Sequence, residues 1–318
     1  MSNKAYKPTL AQLRSFVTVA EHKHFGIAAS KLGISQPSLS QGLVALESGL
    51  GIQLIERSTR KVIVTPHGEA LLPYAKAALD AVDAFVVRSR GTEGTLAGTL
   101  TIGIIPTIAP YLLPHLLGEL ARAFPDCAPR VVEEKTDNLV EQLRDGQLDV
   151  AVLALPVDAP GLETVELYRE PFIAVTPAGQ VGAPERVLEL TDLRELELLL
   201  LDDGHCLRDQ IVDLCKLADA TSSVTSQSVT RAASLTTIVQ LVVAGLGSTL
   251  VPLSAVETEC GRPGLDLHSF ADGTSAEREV GLAYRASSSR VEDFSALAAL
   301  VTEAYGRATA PAEAALRR

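Results

Sequence analysis

Two of the four cysteines in this 318-residue sequence, Cys206 and Cys215, lie nine positions apart in a segment suited to thiol chemistry. It reads Asp203-Gly204-His205-Cys206-Leu207-Arg208-Asp209-Gln210 and runs on through Ile211 to Cys215. Gly204 follows an apolar stretch at 196–201 and opens a helix. Ile211, Leu214, Cys215 and Ala218 fall at i, i+3, i+4 and i+7, one apolar helix face, so Cys215 belongs to the buried side. Cys206 sits in the first turn among polar neighbours. A helix N-terminus and nearby cations, here Arg208 with His205, lower a thiol pKa and supply the reactive thiolate. Cys206 is therefore the candidate nucleophile and Cys215 its hidden partner.

The spacing carries a mechanical consequence. Nine helical residues rise about 13.5 Å and turn about 900°, which puts the two side chains on opposite faces. A disulfide needs Cα atoms within about 7 Å. A Cys206–Cys215 bond can form only if the helix refolds, and a bond that forces refolding is a two-state switch. Simple burial of two small apolar side chains is the competing reading, strongest for Cys215 alone.

The elements that must position these residues follow from the rest of the chain. At 318 residues, two domains are expected. A hydrophobic share of 47% with 21% charged residues is ordinary for a globular protein. The start, MSNKAYKPTL, lacks the apolar core of a signal peptide. The long apolar stretch at 235–253 is broken by polar residues and Gly, unlike a membrane span. Cytoplasmic placement is expected, where cysteines are more often free or redox-active than structural. No CxxC pair or close Cys/His spacing appears, so no structural zinc is expected; no cofactor is expected either. Cys127 and Cys260 match no motif and read as structural or incidental.

Net charge is −11, but it is unevenly spread. Residues 1–90 hold 11 Lys+Arg against 6 Asp+Glu, a net of +5; the remainder holds 17 against 33, a net of −16. A basic head on an acidic body is what a chain needs when only one end meets phosphate.

Helices are expected at 9–22, with Leu10, Leu13, Phe16, Val17 and Ala20 on one face, and at 26–32, ended by Gly33. Ser35 can cap a third helix whose first turn accepts Pro37 and whose buried face is Leu39, Leu43 and Leu46. Two short helices joined by a Gly-containing turn form a helix-turn-helix. Residues 57–65 read as a small β-ribbon, or wing. Residues 66–90 read as one long helix in which Leu71, Ala75, Ala78, Val82 and Phe85 form an a/d seam. That seam implies dimerisation; packing on its own domain is the alternative. Gly91, Gly94 and Gly98 mark a hinge.

Beyond the hinge, strands are expected at 100–104, 130–134, 149–155, 172–176, 196–201, 223–227, 248–252 and 280–284. Helices alternate with them at 108–124, 137–144, 234–244 and 291–305. This order predicts mainly parallel sheets with helices on both faces. Residues 308–318 read as a frayed tail.

In the head, Gln36, Ser38, Ser40 and Gln41 lie off the leucine face and can reach base edges. Arg57, Arg60 and Lys61 stand at the wing, placed for phosphates or the minor groove. Ala28, Ala29, Leu32, Ser35, Gln36, Pro37, Ser38, Ser40, Leu46 and Glu47, in the order AAxxLxxSQPSxSxxxxxLE, with LIERSTR at the wing, resemble the amino-terminal domain of LysR-type transcription regulators. Two positions depart from that pattern. Ile55 stands where the family usually has Phe, and Gly42 lies inside the recognition helix, where Gly costs about 0.5–1 kcal/mol relative to Ala.

The resemblance extends over essentially the whole chain and implies an α/β architecture. Its parts are a winged helix-turn-helix (1–65), a long linker helix (66–92), a two-lobed effector domain resembling periplasmic binding proteins (93–307) and a flexible tail (308–318). It implies double-stranded DNA as partner, assembly as a dimer of dimers and contact with RNA polymerase. The stretches around Cys206 and at 105–114 resemble the family's peroxide-sensing members. That likeness implies hydrogen peroxide as the signal, Cys206 as the peroxidatic and Cys215 as the resolving cysteine. It further implies a peroxide pocket of Thr107, Thr136, His205 and Arg285, with Arg208 beside them. Hydroxyl donors suit the chemistry, because peroxide cleaved by a thiolate expels hydroxide, which must be held and protonated. Competing readings are a regulator that binds a metabolite between its lobes, a thiol peroxidase and a solute-binding transport protein. The helix-turn-helix argues against the second, and the missing export signal against the third.

Overall fold

The computed structural model describes residues 6–57, 62–89, 96–182, 186–218, 232–271 and 273–316. Two compact units form, one built on Met1–Glu93 and the other on Gly94–Arg318, except that Gln142–Gln147 and Ala286–Arg290 group with the first.

The first unit opens with α1 (Leu10–His22), α2 (Phe25–Leu32) and α3 (Gln36–Leu50). The Thr9 hydroxyl and the Gln12 side chain form a reciprocal capping box at the start of α1. Gly33 ends α2 in the left-handed region at φ 65°, and Ser35 Oγ caps α3 by accepting from Ser38 N. Phe16, Val19, Ala28, Leu39, Leu43 and Leu46 meet in one core. The ribbon is an antiparallel pair, β1 (Ile55–Arg57) and β2 (Val62–Val64). Its entry is tied to α3 by Glu47, whose Oε1 accepts from Leu54 N and Ile55 N, both at 2.9 Å.

Helix α4 (Pro66–Ser89) follows. Gly68 lets it approach closely, since a Cβ there would lie 2.3 Å from the Leu54 carbonyl oxygen. The expected seam divides along its length. Leu71 and Ala75, with Leu72 and Leu79, pack on the head's own core, whereas Phe85 is 73% exposed. Gly91 and Gly94 of the expected hinge lie outside the described residues.

The second unit alternates strand and helix at first: β3 (Gly98–Ile104), α5 (Ala109–Ala123), β4 (Cys127–Glu133), α6 (Thr136–Arg144) and β5 (Val150–Leu155). A long strand β6 (Leu162–Pro177) leads to α7 (Cys206–Leu217), α8 (Leu235–Val243), β7 (Thr249–Pro252), α9 (Val256–Cys260) and β8 (Leu265–His268). The chain returns through β9 (Glu277–Arg285) and ends in α10 (Val291–Leu316).

The strand order is β4-β3-β5-β9-β6-β7, with β8 also on β6. Among the named strands of the described residues, only β3 with β4 and β3 with β5 pair in parallel and the others are antiparallel, so the sheet is mixed rather than mainly parallel. The reason is the pair of crossings. β6 leaves the first half of the unit along Leu162–Pro171, paired with β9, and enters the second half at Phe172, where it pairs with β7. β9 makes the return crossing and must run the opposite way. This is the two-lobed plan, with β6 and β9 shared between lobes.

Two other expectations change, and one falls outside the described residues. The leucines at 196 and 198–201 are buried, but the segment forms only isolated bridges, Leu198 with Ser248 and Leu201 with Ala232. The strand expected at 223–227 lies outside the described residues. The expected frayed tail is helix as far as Leu316, because Ala304, Ala308 and Ala312 recur every fourth residue and are all buried. Among the described residues, no helix is long and apolar enough to cross a membrane.

Candidate functional site: a half-buried thiol and a buried arginine

Gly204 makes the turn into α7 at φ 86°, where a Cβ would also press on the Lys135 side chain at 3.3 Å. His205 is the N-cap residue, and Cys206 is the first residue of the helix. None of the four cysteines is in a disulfide. Cys215 is 1% exposed and lies in the core of the second lobe with Leu207, Ile211 and Leu214. Both cysteines therefore belong to one unbroken helix, about 13.5 Å apart along its axis.

The charge around Cys206 departs from the sequence expectation. Arg208 is turned aside, its Nε paired with Asp203 Oδ1 at 3.0 Å. His205 is 5% exposed, and burial, reinforced by repulsion from Lys135, pulls its pKa down, so it is a neutral imidazole rather than a cation. The cation that acts on the sulfur is Arg278, near the start of β9. Arg278 is held from several sides. Its Nη1 donates to Thr107 Oγ1 at 2.9 Å and its Nη2 to the Thr107 carbonyl at 3.0 Å. Its Nε donates to Glu170 Oε2 at 2.8 Å, and Nη2 lies 2.7 Å from the same oxygen. Neither side chain of that ion pair has any exposed surface.

Burial pushes the Cys206 thiol up, against the opposing pull of Arg278, the Thr136 hydroxyl and the Leu207 backbone N–H; Asp209 adds to the rise. Desolvation wins, so the resting group is a thiol with a thiolate-stabilising cation in place. Burial alone pushes Cys215 up to about 11. The Thr136 hydroxyl lies near enough to favour the thiolate. Its Oγ1 and His205 Nε2 are buried without a well-formed hydrogen bond among the described residues.

Arg285 is not part of this cluster. It is buried at the far end of β9, where its Nη1 donates to the Leu148 carbonyl at 2.6 Å. Seven strand residues separate it from Arg278, about 23 Å at 3.3 Å per residue. Arg278 is not evident in the sequence, because the strand expected from it begins at Val280. Extending the alternation of Val280, Leu282 and Tyr284 back by two places puts residue 278 on the same face. Glu170, before Pro171 in a charged stretch, gave no signal.

In the head, Gln36, Pro37, Ser38 and Gln41 are exposed on α3, and Ser40 is half-buried. Ser35 and Ser38 hydroxyls are 2.8 Å apart, so both belong to the helix cap. Arg57 ends β1; Arg60 and Lys61 lie outside the described residues.

A family model described as bacterial regulatory helix-turn-helix protein, lysR family, matches residues 10–69, and one described as LysR substrate binding domain matches residues 93–306. The chain belongs to the LysR family. The LysR helix-turn-helix is thus α2 and α3, and the LysR substrate-binding domain is the two-lobed unit that holds Cys206. Among curated relatives, the chain is 47% identical over 303 residues to a probable hydrogen peroxide-inducible genes activator of Mycobacterium leprae, covering 95% of this chain and 96% of the relative. Among solved structures it is similar to the H2O2-bound C206S mutant of Corynebacterium glutamicum OxyR, at 57% identity and TM-score 0.70, covering 98% of this chain and 97% of that one. The oxidized form of the same OxyR matches with the same identity and coverage at TM-score 0.62.

Proposed function

We propose that this LysR-family chain is a DNA-binding transcription regulator that senses hydrogen peroxide through Cys206. The carrying observation is that Cys206 opens α7 beside the buried Arg278, while Cys215 lies buried on the same helix. The H2O2-bound and oxidized OxyR structures, and the relative named for peroxide induction, support the reading.

The chemistry balances with two thiols and one peroxide. Ionised Cys206 Sγ attacks one peroxide oxygen; the S–O bond forms, the O–O bond breaks, and the departing hydroxide takes a proton and leaves as water. In this reading Arg278 stabilises the thiolate, and Thr107, Thr136 and neutral His205 hold the peroxide. Cys215 Sγ then attacks the sulfenic acid; the S–S bond forms, the S–O bond breaks, and a second water leaves. Closing the disulfide breaks α7 and selects a second conformation of the effector domain.

In this reading Gln36, Ser38, Ser40 and Gln41 face base edges of double-stranded DNA, while Arg57, Arg60 and Lys61 contact its backbone. The exposed end of α4 at Phe85 serves dimerisation, two dimers make the working tetramer, and RNA polymerase is the further partner. The chain acts in the cytoplasm as a stoichiometric switch, not as an enzyme.

Peptide mapping after a brief low dose of hydrogen peroxide tests this. A Cys206–Cys215 disulfide in the wild type, absent from Cys206→Ser, is expected. Reduced thiols throughout would turn the search to a metabolite between the lobes, and sustained peroxide turnover with a thiol reductant would point to a peroxidase.

A further inference from the structure

The Arg278 guanidinium serves two anions, one permanent and one transient. Glu170 is the permanent one. Its Oε2 takes the Nε edge of Arg278, and its Oε1 accepts from Ser254 N at 2.9 Å, so both carboxylate oxygens are committed. The transient anion is the Cys206 thiolate. We propose that Glu170 is a positioning residue that sets the reactivity of Cys206 by competing with its thiolate for Arg278, a role that rests on the peroxide-sensing reading above.

The geometry separates this role from simple scaffolding. Arg278 keeps two bonds to Thr107 whether or not Glu170 is charged, so neutralising Glu170 leaves the guanidinium in place and changes mainly its charge balance. A buried cation without its counter-ion is costly, and Cys206, on which Arg278 acts, is a group able to ionise in compensation. The other groups facing the cluster do not supply the charge. Tyr168 and Tyr305, stacked at 3.7 Å between centroids, are held protonated by burial. Tyr111 is likewise raised by burial, and its hydroxyl donates to Glu259, which also accepts from Thr236. Around the sulfur, Asp209 opposes ionisation, while Lys135, which acts on His205, donates to the Asp203 carbonyl. Glu170 is not among the groups that act directly on Cys206; its influence passes through Arg278.

The test is a pH titration of thiolate ultraviolet absorbance in the reduced full-length protein, taken as the difference from the same protein carrying Cys206→Ser. Glu170→Gln is expected to move the Cys206 midpoint down by about one pH unit or more, roughly tenfold more thiolate at neutral pH. Arg278→Gln is expected to move it up, and adding Glu170→Gln to Arg278→Gln is expected to change nothing further. Glu170→Asp keeps the charge but withdraws it by one methylene; it should give a smaller downward shift and decides the matter if Glu170→Gln does not fold. An unchanged or rising midpoint in the Glu170 variants overturns the proposal, and so does a downward shift that persists without Arg278. A parallel peroxide oxidation assay on wild type keeps the two readings apart. Failure to oxidise Cys206 would remove the sensor assignment and leave the titration result standing.

Discussion

Closing the Cys206–Cys215 disulfide should cost enough to make it a strongly oxidising bond. The perturbation is oxidation itself, which must bring Cα atoms about 13.5 Å apart to within about 7 Å and so unwinds α7. Leu207, Ile211 and Leu214 are each at most 5% exposed on that helix. Full exposure of such side chains costs about 1.5–3 kcal/mol each, or about 4.5–9 kcal/mol for the three. For a two-electron couple about 30 mV corresponds to 1.4 kcal/mol, so the potential rises by about 100–190 mV. Structural disulfides lie below about −300 mV; counted from that bound, the rise takes this one to about −200 to −110 mV at most. Reburial of a side chain in the oxidised fold moves the value toward the lower end. The assay is redox equilibration in glutathione buffers, read by peptide mapping, with amide hydrogen exchange over Cys206–Leu217 in both states. A potential at or below about −300 mV, or unchanged protection across the helix, would refute the reasoning.

Arg278→Gln should slow peroxide oxidation of Cys206 by about tenfold or more, since an opposite charge is worth at least one pKa unit, whereas Arg285→Gln should leave the rate near wild type; a stopped-flow series on both variants decides between the two arginines. The thiolate is the reactive form and burial holds the Cys206 thiol above its ordinary value, so oxidation should keep accelerating with pH beyond the point where a free cysteine levels off. A folded-state thiol pKa raised above the unfolded value stabilises the protein below the unfolded pKa and loses that contribution as pH rises toward the folded one. Thermal stability of the reduced protein should therefore fall between about pH 9 and 11 through Cys215, and a Cys215→Ala variant melted across the same range should lose less. Gly42→Ala should raise stability by about 0.5–1 kcal/mol in denaturant melts, because its added Cβ meets only Ser15 Oγ at an ordinary 3.5 Å.

Much of this protein is local and therefore legible in one dimension. Helical periodicity, the Ser35 cap and the Gly33 stop located α1 to α4 and the opening of α7, because Ser35 and Gly33 act on backbone groups within four residues of themselves. The Cys206–Cys215 spacing set the distance between the thiols as soon as the segment was helical. Period-2 alternation found β3, a continuous apolar run found β5, and the strand expected at 280–284 is the buried half of β9.

What the tertiary structure decided is whatever depends on partners far along the chain. Two crossings between lobes turned an expected parallel sheet into a mixed one, a matter of strand direction that alternating elements do not encode. Burial of alanines under α10 converted a polar-looking tail into helix. Most of all, the cation at the thiol is Arg278, seventy-two residues beyond Cys206, and neither Arg208 nor Arg285. A charge acts through space, so its effect on a sulfur depends on where β9 and α7 are brought together and on which carboxylate is buried with it. The sequence by itself specified the thiol chemistry; only the folded chain specified the electrostatics that govern it.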